Sequence, residues 1–350
     1  MKKILCAFAI IIALVCIFTA CNIAQSPTIS ISEDGYWVIN GEKTDVKAQG
    51  EKGDKGDAAS TNENPQGLAF YLKDDGTYAV EIGYAKYLSK IEIPATYNGK
   101  AVTEVVNSAF YDCDNLTSVT IGDSVTTIGN SAFADCSNLT SVTIGDSVTT
   151  IGERAFEYCS SLTSVTIGDS VTTIGRVAFA KCINLTSVTI GDSVTTIGDW
   201  AFSYCSNLTS IIVDENNEAY QSINGNLYSK DGTVLVAYAS GKTDTSFTIP
   251  DSVTTVGDLA FCYCTNLTSV TIGDSVTTIG NSAFYECDNL TSVTIGDSVT
   301  TIGEGAFSGG CSITDVYYTG SKADWAKITI GSWNWGLEGA NIHYNYTPQE

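Results

Sequence analysis

The residues of this chain that could most readily do chemistry are its cysteines. Most of the 12 cysteines share one position of a unit that recurs every 23 residues. Such a column of thiols could form disulfides, bind a metal or attack an electrophile. We expect buried free thiols instead, because a repeated position points every side chain the same way and spreads possible ligands along a line. The cysteines of this structural ladder are Cys113, Cys136, Cys159, Cys182, Cys205, Cys264 and Cys287.

Two further cysteines lie close to the ladder in sequence. Cys311 is displaced from the shared position by one residue, and Cys262 directly follows Phe261. An exposed thiol at Cys262 would be reactive, but a thiol without a role is the simpler interpretation.

Acid–base and nucleophilic catalysis find little support in the sequence. The only histidine, His343, lies near the C-terminus. No motif gives a serine or cysteine a basic partner, although a pair of carboxylates could act without such a motif. We therefore predict that the chain is not an enzyme, with no catalytic residue and no cofactor.

A second column, of aspartates, follows the strand segment of most units. Calcium takes carboxylate ligands, so this column could hold calcium between units. Each unit offers few oxygen ligands for such a site, and an aspartate in a turn commonly hydrogen-bonds nearby backbone. We therefore expect each aspartate to satisfy its own turn, and we predict no metal site. The column comprises Asp123, Asp146, Asp169, Asp192, Asp251, Asp274 and Asp297.

Hydroxyl groups form two more columns, represented by Ser118 and Thr120 in the first regular unit. Arrays of this kind could bind ice or glycans. Serine and threonine are also ordinary polar residues on the exposed face of a strand. Ice binding therefore remains a remote alternative.

The units differ from one another mainly around a recurrent Ala-Phe pair. The segments on either side of this pair carry aromatic and arginine side chains, which binding surfaces favour. We expect this side of the molecule to carry ligand specificity, and neutral variation at exposed positions is the alternative. The candidate ligand-binding residues are Arg154, Tyr158, Arg176, Trp200, Tyr204, Tyr263 and Tyr285.

The stretch 116–136 shows which elements must position these columns. Its β-branched residues alternate, which predicts a strand with Leu116, Val119 and Ile121 facing inward. A Gly-Asp-Ser turn follows, and further apolar residues return to the core. Residues 131–136 then predict one short helical turn with its phenylalanine at the centre of the coil.

The pattern L-x-x-V-x-I-x-x-S-V-x-x-I-G-x-x-A-F-x-x-C resembles the cysteine-bearing leucine-rich repeats of the BspA-like family of bacterial and protist surface proteins. The resemblance covers residues 68–346, including "NGNLYSKDGT" and "VYYTGSKADWAKI". A fixed period of this length is typical of a solenoid, in which each unit buries its apolar side against its neighbours. The resemblance implies a right-handed, mostly β solenoid of about ten coils, and several family members are described as adhesins.

Three segments of the predicted solenoid depart from the repeat. Residues 68–90 predict a hairpin that would cap the N-terminal end. Residues 214–242 interrupt the repeat with another hairpin. The tryptophan-rich residues 313–346 would form the C-terminal cap, and residues 347–350 a tail.

The first 67 residues would export and tether the solenoid. Residues 1–20 combine a basic start with an apolar run that is short for a spanning helix, which predicts a signal peptide. Phe-Thr-Ala-Cys resembles the lipobox of bacterial lipoproteins, which implies a lipid on Cys21; a plain secretory signal is the alternative. Residues 21–67, with a short collagen-like glycine run, would be a flexible spacer.

The composition is acidic, with a formal net charge of −22. Such a surface repels nucleic-acid phosphates and anionic lipid headgroups, so we expect no nucleic-acid partner and membrane contact by the lipid anchor only. We expect a monomeric cell-surface or outer-membrane protein that binds a protein or glycan on host matrix or another cell. The alternatives are a structural surface-coat or spacer protein without a specific ligand, and a secreted rather than anchored protein.

Overall fold

The computed structural model describes residues 66–348 in full, and of the preceding chain only the strands at 29–31, 36–39 and 42–47. These parts belong to two compact units, residues 1–61 and residues 62–350. The predicted signal peptide, Cys21 and the collagen-like run lie outside the described residues.

The N-terminal unit contains a small antiparallel sheet within the predicted spacer. Its central strand pairs with both neighbours, and Ile39 lies opposite Glu42. The Tyr-Trp-Val-Ile sequence of the central strand has a strong preference for strand. The strands are β1 (Ile29–Ile31), β2 (Tyr36–Ile39) and β3 (Glu42–Lys47).

In the second unit, each coil contributes one longer strand to a parallel face. Neighbouring strands pair one repeat apart, so that Ser164 lies opposite Ser187 and identical residues stack in columns. The longer strands are β6 (Lys90–Ile93), β9 (Ser118–Ile121), β11 (Ser141–Thr143), β13 (Ser164–Ile167), β15 (Ser187–Ile190), β17 (Ser210–Val213), β21 (Ser246–Thr248), β23 (Ser269–Ile272), β25 (Ser292–Ile295), β27 (Asp315–Tyr318) and β29 (Asn341–His343).

A second parallel face is formed by strands that have only two residues in the regular coils, where they follow the Gly-Asp-Ser turns. Thr127 lies opposite Thr150, and this register also repeats from coil to coil. The strands of this face are β8 (Lys100–Val105), β10 (Thr127–Ile128), β12 (Thr150–Ile151), β14 (Thr173–Ile174), β16 (Thr196–Ile197), β20 (Val234–Ala237), β22 (Thr255–Val256), β24 (Thr278–Ile279), β26 (Thr301–Ile302) and β28 (Thr329–Ile330).

The core lies between the two faces and repeats with the coils. Leu116, Val119 and Ile121 are buried, as the alternation predicts. The core phenylalanines stack in two series, with ring centroids 5.0 to 5.8 Å apart from Phe110 to Phe202 and 4.7 to 4.9 Å apart from Phe261 onward. These separations follow from the spacing of paired strands, about 4.8 Å. The predicted leucine-rich-repeat solenoid is confirmed.

Residues 131–136 do not form the predicted helical turn. Ser131 has φ 54° and Asp135 has φ 60°, and such left-handed residues cannot continue a right-handed helix. Both backbone N–H groups donate to the next coil, to the carbonyls of Glu153 and Glu157, over 2.8 Å each. We call the surface formed by these segments, from three residues before to two residues after each core phenylalanine, the turn face.

Both ends of the solenoid carry elements that depart from the repeat, and the one at the N-terminal end is the predicted hairpin. The N-terminal hairpin extends the shorter-strand face, since its second strand pairs with β8. The elements of this end are β4 (Ala69–Leu72), β5 (Tyr78–Glu81), a 3-10 helix (Ala85–Tyr87) and β7 (Thr96–Tyr97). The C-terminal end adds two short helices, α1 (Lys322–Trp325) and α2 (Trp335–Glu338).

A hairpin interrupts the stack of coils, as predicted. It consists of β18 (Tyr220–Ile223) and β19 (Asn226–Ser229), and β19 continues antiparallel into β20. The turn of the hairpin lies against β17, where Ile211 N–H donates to the carbonyl of Gly225 over 2.9 Å. The hairpin therefore occupies the edge at which β21 would otherwise pair. The core is divided here into two hydrophobic clusters.

Candidate binding surface

The cysteine ladder is part of the core and holds consecutive coils together. The thiol of Cys136 donates to the carbonyl of Phe110 over 3.1 Å, and Cys159 bonds Phe133 over 3.2 Å. Burial raises the pKa of Cys205 to about 12. A protonated, buried thiol is a hydrogen-bond donor and a poor nucleophile. The same bond to the phenylalanine one coil earlier is made by Cys182, Cys205 and Cys287.

The two irregular cysteines are also built into the coils. Cys311 bonds the carbonyl of Phe284 over 2.9 Å, although it is displaced by one residue. Gly309 and Gly310, with φ 74° and 111°, accommodate the extra residue. Cys262 is only 5% exposed, so it is not a reactive surface thiol.

The aspartate column does not behave as the sequence predicts. Each turn is closed by the backbone itself: Val125 N–H, for example, donates to the carbonyl of Gly122 over 3.0 Å. In residues 66–348, the column accepts hydrogen bonds only from the hydroxyls of Ser193 and Thr319. Across the described part of the chain, no cluster of three or more histidine, cysteine, aspartate or glutamate residues is placed to hold a metal ion.

Threonines outside the predicted hydroxyl columns make a regular contribution to the scaffold. Thr140 donates its hydroxyl to the carbonyl of Thr117 over 2.9 Å, and Thr149 donates to Thr126 over 3.1 Å. Each bond joins a threonine to its own counterpart one coil earlier. The exposed Thr120 and its neighbours are left as an outward polar surface on the longer-strand face.

The histidine lies at the C-terminal end of the longer-strand face. His343 Nε2 is 2.8 Å from Asp315 Oδ1, and its ring stacks on Tyr317 with centroids 4.9 Å apart. The hydrogen bond to His343 lowers the pKa of Asp315. This pair joins β29 to β27 and is a strand-to-strand contact.

Most of the candidate ligand-binding residues share an unusual backbone conformation. They lie two residues before or two residues after a core phenylalanine, and their φ angles lie between 56° and 64°. The left-handed candidates are Arg154, Tyr158, Trp200, Tyr204 and Tyr263. Tyr285 directly follows Phe284, and Arg176 precedes Phe179 by three residues.

Several of these side chains meet in one continuous row. Lys181 Nζ lies 4.1 Å from the ring centroid of Tyr158 and 5.8 Å from that of Tyr204. The rings of Tyr204 and Tyr263 are 5.1 Å apart. Tyr285 lies close enough to Tyr204 for each phenol to influence the pKa of the other. We call Tyr158, Lys181, Tyr204, Tyr263 and Tyr285 the aromatic column. Lys181 is not among the predicted ligand-binding residues, because it is neither aromatic nor an arginine.

Charged side chains border the aromatic column at one end. Arg154 Nε lies 3.6 Å from a carboxylate oxygen of Glu157, whose other oxygen lies 3.9 Å from Lys181 Nζ. Glu157 therefore links Arg154 to the column. Burial raises the pKa of Tyr204, so its hydroxyl stays protonated at neutral pH.

The remaining candidates lie apart from the column. Trp200 is 43% exposed and lines a cavity of about 260 Å³ where the hairpin interrupts the stack, between Phe202 and Tyr238. Arg176 is exposed. In the described part of the chain, neither side chain makes a ring contact or an ion pair with the aromatic column.

Stacked parallel coils of one repeating sequence, with a buried phenylalanine and a thiol ladder, define a leucine-rich-repeat solenoid. The sequence pattern of the family described as BspA type leucine rich repeat region, in 6 copies, matches residues 84–230 and 237–327. Because this match extends over more than half of the sequence, the chain belongs to that family.

Solved structures show the same fold. A leucine-rich repeat protein from Eubacterium ventriosum is 28% identical, with a TM-score of 0.62 over 80% of this chain and 77% of its own. The pneumococcal vaccine antigen PcpA is 20% identical, with a TM-score of 0.56 over 80% of this chain and 86% of its own. A search of curated proteins found no match. Within the described residues, every helix is too short or too polar to cross a membrane.

Proposed function

We propose that this chain is a surface protein that binds a protein or glycan partner on host matrix or another cell through its turn face. The observation that carries the proposal is the aromatic column. It is a row of tyrosine rings joined by one lysine, on the side of the solenoid where the coils differ in sequence. Tyrosine combines a large apolar area with a hydroxyl group and loses little entropy on binding, which is why binding surfaces favour it.

The backbone of the turn face supports this role. Tyr158, Tyr204 and Tyr263 are all left-handed residues, and the N–H groups of Tyr158 and Tyr263 bond the next coil. Their positions are therefore fixed by the scaffold before a partner arrives. A rigid surface of this kind gives up less conformational entropy on binding than a flexible loop does.

The test compares two variants of the mature chain for retention of components of a host-matrix extract. Replacing Tyr158, Trp200, Tyr204 and Tyr263 together by alanine should abolish saturable retention. The matched control replaces the exposed Thr120 and Thr166 on the longer-strand face by alanine and should bind as the wild type does. Unchanged binding by the tyrosine and tryptophan variant, with intact circular dichroism, would refute the proposal.

A passive surface coat is the second candidate function. The near identity of the coils favours this function. The threonine ladders favour it as well, because they stiffen the scaffold and form no ligand-specific surface. A coat protein predicts no saturable partner in the same extract. The same experiment therefore separates the two functions.

The membrane attachment that we propose rests on the sequence alone. Cys21 would carry the lipid, and residues 1–20 would be removed. Metabolic labelling with a fatty acid should mark the wild type and leave the Cys21→Ala variant unlabelled. Label retained by that variant would rule out attachment at this thiol.

A further inference from the structure

A second concave surface lies at the C-terminal end of the turn face, beyond most of the aromatic column. It is a groove of about 410 Å³. Its size falls within the range of small-ligand sites, about 300 to 1,000 Å³. We call it the C-terminal groove and define it by Tyr285, Glu304, Gly305, Ser308, Trp333 and Trp335.

The floor of the groove lacks a side chain at Gly305, and beside it the last regular coil has a second glycine, Gly309. Gly305 and Gly309 have φ 60° and 74°, and they take the two left-handed positions of the coil. The preceding coil has Ser282 and Glu286 at these positions. A Cβ atom at Gly309 would lie 2.7 Å from the ring of Tyr285, so this ring lies directly against the glycine backbone.

The far wall of the groove consists of two exposed tryptophans, and the residue between them is anchored in the core. Trp333 is 60% exposed and Trp335 is 64% exposed. Asn334, between them, is buried, and its side chain accepts a hydrogen bond from Phe307 N–H over 3.0 Å. The same amide donates to the carbonyls of Gly303 and Gly331 over 2.9 and 2.8 Å. The buried asparagine therefore turns both indole rings toward solvent.

Polar groups lie between the aromatic walls. Glu304 is exposed, and among residues 66–348 its carboxylate forms no ion pair. Ser308 uses its hydroxyl in a bond to the carbonyl of Gly305 over 2.8 Å. The hydroxyl of Ser282 also borders the floor, near Gly305. A ligand in this groove meets aromatic faces and hydrogen-bonding groups together.

We infer that the C-terminal groove binds a neutral glycan. Sugar rings have an apolar face of C–H groups and a rim of hydroxyls, which match exposed aromatic rings and a free carboxylate respectively. The chain has a formal net charge of −22, and Glu304 adds a local negative charge, so anionic sugars are disfavoured. An apolar peptide would leave Glu304 buried without a partner, which is costly. The site shares only Tyr285 with the aromatic column and does not rest on the proposed function.

The test is a titration of the full chain with neutral hexasaccharides of glucose, xylose, mannose and N-acetylglucosamine, followed by tryptophan fluorescence and calorimetry. At least one should bind with a Kd below about 1 mM. Trp333→Ala and Trp335→Ala should each weaken that binding at least tenfold. Trp200→Ala is the matched control, since Trp200 also has a left-handed backbone and an exposed ring but lies outside the groove. Its affinity should equal that of the wild type.

A second variant closes the groove without removing a ring. Gly305→Leu adds a leucine side chain to the floor of the groove. The equivalent position of an earlier coil already holds a leucine, Leu259, whose φ is 58°. It should abolish binding while the fold is kept.

Three results would overturn the inference. They are the absence of binding by every neutral hexasaccharide, affinity retained in both tryptophan variants, and equal affinity for an anionic oligogalacturonate. Glycan affinity should be unchanged in the variant in which Tyr158, Trp200, Tyr204 and Tyr263 are replaced together by alanine. Failure of this inference can therefore be told apart from failure of the proposed function.

Discussion

At the scale of single residues, the variable positions of the turn face are also the strained ones. Two positions in each regular coil have positive φ, and non-glycine residues occupy nearly all of them. A side chain there costs about 1 to 2 kcal/mol relative to glycine. Val177, with φ 61°, is an extreme case, because β-branched residues rarely adopt this conformation. The chain keeps side chains where glycine would be more stable, which is expected if these side chains contact a partner.

This strain can be measured at Tyr158. Tyr158→Gly should be more stable than Tyr158→Ala by about 1 kcal/mol, because both lose the ring and only alanine keeps the strained Cβ. Tyr285, whose φ is not positive, is the control, and there glycine should be the less stable substitution. Urea unfolding of the four variants gives the comparison. The same order at both positions would show that the backbone strain is not what separates them.

The buried thiols make stability depend on pH in a defined direction. The pKa of Cys205 is raised to about 12 from an ordinary value of 9.0 by burial. The unfolded chain therefore loses this proton first, and the contribution of the thiol is complete below pH 9 and falls as pH rises toward 12, by about 1.4 kcal/mol per pH unit.

The Cys205→Ala variant lacks this titration. Its free energy of unfolding should lie below that of the wild type at pH 8, and the difference should shrink at pH 11. Urea unfolding of both proteins at the two pH values checks this. An equal difference at pH 8 and pH 11 would mean that the thiol does not titrate in this range in either state.

At the scale of elements, the interrupting hairpin divides the solenoid energetically. Phe202 has no following phenylalanine to stack on, and the next series begins with Tyr238, whose ring lies 5.2 Å from that of Phe261. Stability in a solenoid is passed between neighbouring coils. The two hydrophobic clusters should therefore respond separately to mutation.

A pair of matched core substitutions tests this separation. Phe133→Leu and Phe284→Leu each remove part of one stacked ring at a cost of about 1 kcal/mol. Hydrogen exchange should accelerate in residues 110–197 for the first variant and in residues 249–307 for the second. Acceleration across the whole solenoid in both variants would show that the hairpin transmits stability.

One irregularity has no signal in the sequence. The segments 139–152 and 162–175 are identical, letter for letter, yet among the described strands β11 pairs with β9 and not with β13. Val142 is only half-buried there, while β12 and β14 on the opposite face remain paired. Besides the break at the hairpin, the longer-strand face is therefore open between β11 and β13, and nothing in these residues explains it.

At the scale of the whole molecule, what the sequence predicts well is what repeats. The alternation in Ser-Val-Thr-Ile predicts the inward residues, and the period predicts the register of the stacked strands. The turn segments were predicted as helical because their residue types do not reveal left-handed backbone, which arises from bonds to the next coil. The sequence does not predict the C-terminal groove. The groove depends on the lack of side chains at Gly305 and Gly309 and on the buried side-chain amide of Asn334.

The threonine ladders have a consequence for how such a chain can change its length. Each of these hydroxyls bonds the carbonyl of its own counterpart one coil earlier, so the junctions between regular coils are chemically alike, except at the opening between β11 and β13. A coil can therefore be duplicated or deleted without creating a new kind of junction. Such events would move the C-terminal groove nearer to or farther from the N-terminal cap by whole coils and leave both intact.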